Sequence, residues 1–261
     1  MIEIRHQTVL GGGTVQSAYD QFYRRRKLLM RDSFYLWLLE LAQPQAGELL
    51  VDVACGNGRL VELAARRGIG ALGFDLSFEG IHAAAAETPA AAWVVGNGQT
   101  IPFPAGCADI VMSIGSLEHY DQPTQGAREL ARILKPQGRA VILLPNAFGL
   151  LGNIRHVYRY GEVFDDDQPQ QRYATRRTWE TMLGCGGLAV ERLVPFGEFN
   201  APRTPKDALW TLLRPQKFVK AAIARITPAN LANHFVFICR RTGQAERGQP
   251  QTTHYPMLAY P

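Results

Sequence analysis

The apolar residues of this chain recur with two alternating periods. Short β-type runs, LLVDVA (Leu49 to Ala54), GALGFD (Gly70 to Asp75), AAWVVG (Ala91 to Gly96), ADIVMSIG (Ala108 to Gly115) and GRAVILLPN (Gly138 to Asn146), are apolar on both faces, as strands of a covered parallel sheet are. Between them, apolar positions return every three or four residues. Leu60, Leu63 and Ala64 form one such face, Phe78 to Ala86 another, and Ala127, Leu130, Ala131 and Leu134 a third, which Pro136 stops. Strands joined by helical crossovers predict an α/β fold with a Rossmann-like, mostly parallel sheet and helices on both faces.

The flanks are less regular. Ser17 to Leu41 is expected to be helical, because Phe34, Leu38 and Leu41 keep helical spacing and no Gly or Pro intervenes. After Asn146 come a polar and aromatic stretch with a short helix, a helix over Thr178 to Leu183, and a strand within Leu188 to Phe199. Ala201 to Asn230 predicts two helices broken at Pro215, and HFVFIC (His234 to Cys239) a last buried strand. The last two strands are expected to pair antiparallel, giving the sheet an antiparallel C-terminal edge. One domain over 1–240 follows, with an N-terminal helical segment 15–42, a helical cap insertion 201–230 and a loosely held polar tail 241–261.

On a helical wheel Val219, Ala222, Ile223 and Ile226 share one face, and Lys217, Lys220 and Arg225 lie opposite or beside it. Two readings stay open: a lid packed on the sheet through its apolar face, or contact with a membrane surface or a lipid-linked substrate.

Composition narrows the class. The 261 residues are 46% hydrophobic and 20% charged, enough for a sizeable core. The formal net charge of +5 is mild, and no dense basic run with interleaved aromatics points to nucleic acid. The cysteines Cys55, Cys107, Cys185 and Cys239 form no CxxC pair and match no zinc spacing, so free thiols in a reducing compartment are expected. With no signal-peptide core and no apolar run approaching the roughly 20 residues that span a bilayer, the expected location is the cytoplasm. Asp165 to Asp167 lack His or Glu partners and read as a solvated loop, so no metal is expected.

The chemistry-bearing segment is VDVACGNGRL (Val51 to Leu60). A strand ends, the chain turns through Gly56 and Gly58, and a helix begins whose free N–H groups can face the anionic end of a ligand. The next strand ends in Asp75, where a carboxylate can accept both hydroxyls of a ribose. The third glycine of the dinucleotide fingerprint is missing, since Val61 stands there, and so is the Walker lysine. Both absences argue against NAD and ATP.

Taken in order, these segments resemble the class I S-adenosylmethionine (SAM)-dependent methyltransferases, within the type 11 methyltransferase-domain group that includes ubiquinone- and menaquinone-pathway enzymes. LLVDVACGNGRLV is similar to the first motif and GFDLS to the ribose-binding motif. VVGNGQTIPFPAGCADIVMSIGSLEHYDQP resembles the third and fourth motif region, and ELARILKPQGRAVILLPN the helix and strand that close it. The resemblance implies SAM as cofactor. It places Asp52 near the cofactor's amino end, and Ala54, Cys55, Gly56 and Gly58 along its amino-acid part. Asp75 would hold the ribose, with Leu76 against the adenine, Asn97 and Gly98 at the adenine edge, and Ile114 and Gly115 at the cofactor's middle. Tyr19, in SAYDQFY, resembles an aromatic on an N-terminal helix that closes over the cofactor. Two positions depart from the pattern. Ala54 replaces the usual first glycine, where a methyl is tolerable if φ is negative, and Asn97 replaces the usual aspartate, whose charge assistance is lost.

In open α/β sheets ligands sit beyond the carboxyl ends of the strands. His119 and His156, after the fourth and fifth strands, are therefore the candidate general bases. Arg155, Arg159, Arg172, Arg176 and Arg177 could read an anionic or polyhydroxylated acceptor. The expected activity is methyl transfer from SAM to the O, N or C atom of a small-molecule acceptor, such as a sugar, an isoprenoid or another secondary metabolite. Methylation of nucleic acid is not expected, as no Asn-Pro-Pro-Tyr-type motif occurs. The competing readings are a SAM-binding, methyltransferase-like protein without catalysis and, less in keeping with the turn, a nucleotide-dependent oxidoreductase.

Overall fold

The structure is a computed structural model that describes residues 1–5, 14–25, 30–197, 201–214 and 216–242. Most of the tail expected over 241–261 lies outside the described residues, and Arg241 belongs to the last strand.

Seven strands form one sheet: β2 (Leu49–Val53), β3 (Gly70–Asp75), β4 (Ala92–Val95), β5 (Ala108–Ile114), β6 (Leu134–Pro145), β8 (Leu188–Phe196) and β9 (His234–Arg241). Their order is β4-β3-β2-β5-β6-β9-β8. β4 to β6 pair in parallel, while β9 is antiparallel to both β6 and β8. The C-terminal strand is thus the inner member of the antiparallel pair, and β8 holds the edge. A second sheet pairs β1 (Ile2–Arg5) antiparallel with β7 (Gln170–Tyr173).

Helices cover both faces. On one, α2 (Asp32–Ala42) and α3 (Arg59–Ala65) pack Phe34, Leu38, Leu60 and Leu63 onto Leu50, Ile110, Met112 and Val141. On the other, α5 (Pro123–Ile133) and α7 (Arg176–Cys185) pack Leu130, Ile133, Trp179 and Leu183 onto Val51, Val111, Ile142, Phe235 and Phe237. These side chains are almost fully removed from water, and each contributes roughly 1.5–3 kcal/mol by burial.

The helical segment expected over Ser17 to Leu41 holds two helices. α1 (Val15–Arg25) buries no residue fully, whereas α2 buries six. Arg31 is extended at the start of α2 (φ −70°, ψ 151°) and resets the direction of the chain. Periodicity alone could not show this break, because no Gly or Pro marks it. The remaining helices are α4 (Phe78–Glu87), α6 (Arg155–Tyr160), α8 (Pro205–Leu212) and α9 (Gln216–Ile226), the last two on either side of Pro215.

The apolar face of α9 does not pack on the sheet. Val219 is 61% and Ile226 82% exposed. Ala222 is exposed as well and Ile223 half-buried. The side turned inward carries Lys217, which lines the central cavity, and Ala224, which packs against Gly197. A lid seated through Val219, Ala222, Ile223 and Ile226 is therefore not what the chain builds.

Candidate functional site

The carboxyl ends of β2, β3, β5, β6 and β8 and the start of β9 converge on one side of the sheet, because β9 runs opposite to its neighbours. There they enclose a cavity of about 870 Å³. Its floor is made by Asp52, Ala54, Cys55 and Gly56 after β2, Asp75 and Leu76 after β3, Asn97 and Gly98 after β4, and Ile114, Gly115, Ser116 and His119 after β5. Eleven of the twelve residues expected to touch the cofactor line it, counting Tyr19; the twelfth is Gly58.

Gly58 sits at φ +72° where α3 begins, and a Cβ there would lie 2.2 Å from the Trp93 ring. Its glycine answers to helix–sheet packing, and Gly58, expected along the cofactor's amino-acid part, does not line the cavity. Gly56 is the glycine at the cavity (φ +54°), with the Tyr23 hydroxyl 2.8 Å from where a Cβ would stand. Ala54 has φ +62°, not a negative value at which a methyl is readily tolerated. Its N–H donates to the Phe74 carbonyl oxygen at 2.7 Å, and so does that of Cys55 at 3.1 Å. This double anchorage to β3 holds a left-handed conformation that costs a residue with a Cβ about 1–2 kcal/mol.

Asp75 is buried and fixed. Its two oxygens accept the backbone N–H of Gly56 and of Ser77, each at 2.8 Å. Ser77 caps α4 by accepting the Gly80 N–H and donates its hydroxyl to Asp20 at 2.6 Å. Asp20 lies on α1, and Arg24 of α1 pairs with Glu79 at 2.7 Å. These bonds draw α1 over the open end of the sheet, and they explain why Tyr19 and Tyr23, one turn apart, both line the cavity. The Tyr19 hydroxyl is buried and has no hydrogen-bond partner. Tyr23 was missed in the sequence, although its i,i+4 spacing from Tyr19 carries the signal.

The site is rich in buried acid. Burial, and next the nearby Asp75 charge, pushes Asp52 up to about 7. Burial likewise raises Asp75 to about 6 against the hydrogen bonds from Ser77 and Gly56, and raises Glu118, which immediately precedes His119, to about 8. One oxygen of Glu118 is buried without a partner. Burial also raises Tyr120, whose hydroxyl crowds the Cα of Gly98.

His119 ends a short 3-10 turn (Leu117–His119), and its Nδ1 lies 2.5 Å from the Gln170 carbonyl oxygen. That contact suits an Nδ1–H donor, which leaves Nε2 with a lone pair, 4.0 Å from Glu118. Burial lowers the imidazole below its ordinary range, so it is neutral near pH 7. His156 is elsewhere: on α6 it packs against the rings of Tyr160 (4.7 Å) and Phe164 (5.4 Å), outside the cavity. The structure thus does not bring His156, expected as a candidate base, together with His119. Arg172 does not face an acceptor either. It is 3% exposed, bonded to Glu3 at 3.0 Å and to the carbonyls of Tyr120 and Asp121. The Asn97 side-chain oxygen already accepts the Gln99 N–H at 2.9 Å, which leaves it one lone pair at most for a ligand. Phe196, Lys217 and His234 complete the far wall. They come from the last two strands and the insertion, where nothing in the sequence marked them as facing the same space.

The chain is similar to known proteins. Residues 51–142 match the family described as methyltransferase domain. An uncharacterized methyltransferase of Mycobacterium leprae is 34% identical over 109 residues, which are 41% of this chain and 40% of that protein. The chain thus spans well under two thirds of the relative's length. Among solved structures, an S-adenosylmethionine-dependent methyltransferase from Mesorhizobium loti has a TM-score of 0.59 at 18% identity, over 80% of this chain and 98% of the other. Geranyl diphosphate C-methyltransferase from Streptomyces coelicolor has a TM-score of 0.58 at 17% identity, over 88% and 86%. At such identities the likeness to the solved structures is one of fold.

Proposed function

We propose, from the match of residues 51–142 to the methyltransferase domain family, that this chain binds SAM in its central cavity and moves the methyl group to a small-molecule acceptor. The observation that carries the reading is the set of carboxyls, Asp52 and Asp75 in the wall and Glu118 behind it, all raised by burial. Buried carboxyls gain most from a ligand that brings positive charge and hydroxyl donors together. SAM offers an ammonium, a sulfonium and a ribose diol, and the residues present fit it.

Asp75 would receive the diol, each of its oxygens keeping a lone pair beyond the backbone bonds already made. Asp52 would face the ammonium, Leu76 and Gly98 the adenine, and Gly56 the approach of the amino-acid part. The orphaned Tyr19 hydroxyl would take its partner from the ligand side. When bound, SAM supplies a methyl group already activated by the positive sulfur.

The chain's task is then to position, to exclude water and to manage one proton. α1 closes over the cavity through Asp20 and Arg24 and sheds solvent from the site. Holding a nucleophile in line can supply about 7–11 kcal/mol of the barrier lowering. His119, with Nδ1 tied to Gln170, presents Nε2 to take the proton of a hydroxyl or amine acceptor. The 201–230 insertion walls the acceptor side through Lys217. Within a single domain over 1–240, this makes it a cap on one flank of the cavity.

Calorimetry with SAM, S-adenosylhomocysteine and NAD, followed by transfer of labelled methyl from SAM to a small-molecule extract, tests the reading. SAM binding with label in a small molecule is expected. NAD binding without SAM binding would defeat it, and SAM binding with no transfer to any acceptor would favour the non-catalytic reading.

A further inference from the structure

α8 and α9 are amphipathic helices turned inside out. In α8 the inward residues are polar: Asp207 is 4% exposed, accepts the Ser33 hydroxyl at 2.6 Å and pairs with Arg31 at 2.7 Å. The outward residues are Leu209 (59% exposed), Leu212 (69%) and, just beyond the helix, Leu213 (68%). In α9 the inward side carries Lys217 and Ala224, with Ile223 half-buried, while Phe218, Val219, Ala222 and Ile226 face water. A helix pair that needed only to cover the sheet would carry the opposite polarity. Six leucine, valine, isoleucine and phenylalanine side chains exposed along α8, the residue after it and α9 are more outward apolar surface than solvation calls for, of the kind that marks an interaction site.

The charge around the patch says what it meets. The segment 201–230 holds six basic residues, Arg203, Lys206, Arg214, Lys217, Lys220 and Arg225, against a single acid, Asp207. That acid is the buried one. The excess of five equals the formal net charge of the whole chain, +5, so the rest of the sequence is balanced. Lys206 and Arg225 are exposed on the same helices as the apolar row, and Lys220 is half-exposed at its border. Trp210 lies under Arg31 (3.9 Å), Arg214 (4.5 Å) and Lys217 (5.0 Å), an amphipathic ring at the base of the cationic rim. Arg203 is paired with Glu40 at 2.6 Å, but the exposed Lys206 and Arg225 give the apolar face a basic border with no exposed acid of the segment's own, and such a face matches an anionic bilayer surface, where apolar side chains enter the acyl boundary and cations meet headgroups.

We infer that the α8–α9 face docks this chain on anionic lipid membranes. The patch adjoins the cavity, since Lys217 of α9 lines it from within, beside Phe196 and His234. Docking therefore brings the cavity's acceptor side to the lipid surface, where an acceptor with an apolar tail would be drawn. The docking itself does not rest on the methyl-transfer reading.

Sedimentation of the full chain with phosphatidylcholine vesicles, with and without about one third phosphatidylglycerol, tests the inference. Binding is expected to require the anionic lipid and to weaken as salt rises. The double variant Leu212→Glu, Ile226→Glu should lose about tenfold or more in vesicle affinity, and each of Lys206→Gln and Arg225→Gln about fivefold. All these residues are on the outer face, so circular dichroism and S-adenosylhomocysteine affinity should stay as in the parent chain. No binding to the anionic vesicles would overturn the inference, as would equal binding of parent and variants. A soluble dimer that the Leu212→Glu, Ile226→Glu variant dissociates, without vesicle binding by either, would assign the patch to a second copy of the chain instead. Failure of SAM binding would leave the vesicle result untouched, so the two readings fail separately.

Discussion

Asp75 accepts the backbone N–H of Gly56 at 2.8 Å, which locks the loop after β2 to the end of β3. One carboxylate thus shapes the glycine turn and faces the cavity that the turn opens on. The two strands are neighbours in parallel register, with Asp52 beside Gly73 and Val53 beside Phe74, so the ends meet without further support.

The first prediction follows from that pairing. Asp75→Ala removes two charge-assisted acceptors and the anchor of Gly56, and should weaken SAM binding more than about tenfold, at about 1.4 kcal/mol per decade. Asn97→Ala should cost no more than about threefold, since the Asn97 oxygen is already engaged by Gln99. Calorimetry ranks the two, and a larger loss at Asn97 contradicts the assignment.

Asp52, Asp75 and Glu118 have folded pKa values above those of an unfolded chain, at about 7, 6 and 8. The folded state then binds more protons than the unfolded state over roughly pH 4.5 to 8, and stability falls as pH rises through that window. His119, lowered by burial, works in the opposite direction, one group against three. Ligand-free protein should therefore unfold at lower denaturant at pH 8 than at pH 5, and Asp52→Asn should flatten the slope. SAM binding should release protons near pH 6.5, read from calorimetry in buffers of different ionisation enthalpy. A stability that rises with pH across this range would refute the burial argument.

The glycine turn offers a contrast between neighbouring positions. Ala54→Gly relieves a residue at φ +62° and should stabilise the protein by about 1 kcal/mol. Gly58→Ala adds a methyl 2.2 Å from Trp93 at φ +72° and should destabilise it by about 2–3 kcal/mol. Chemical denaturation measures both, and equal effects would mean that the loop relaxes freely.

His119→Gln should lower kcat by about 10²–10⁴-fold for a hydroxyl acceptor while SAM affinity changes within a few-fold. The acidic limb of the pH–rate profile should vanish with it. His156→Gln, outside the cavity, should leave kcat unchanged. Equal losses at the two histidines would deny His119 its role as base.

The sequence by itself determined the central layers. Strands Leu49–Val53, Gly70–Asp75 and Ala108–Ile114 fall within a residue or two of the apolar runs, because a strand buried on both faces must be apolar throughout. Asp75, Gly56 and Gly98 were likewise legible, because they stand at strand ends, and strand ends in such a sheet face one side. Tertiary structure decided the rest. Gly58 and Gly56 look alike in sequence, yet one meets Trp93 and the other the cavity, a difference set by β4 and α1. His119 and His156 both follow strands, but only His119 turns inward, because the Gln170 carbonyl from the second sheet holds its ring. The stripe on α9 was correctly placed on one helical face, and periodicity gave no means of knowing that this face looks outward. Spacing records which residues share a side of a helix. Which side meets the sheet is fixed by Asp207 clasping Ser33 and Arg31, and by Ala224 packing on Gly197, contacts between residues far apart in the chain.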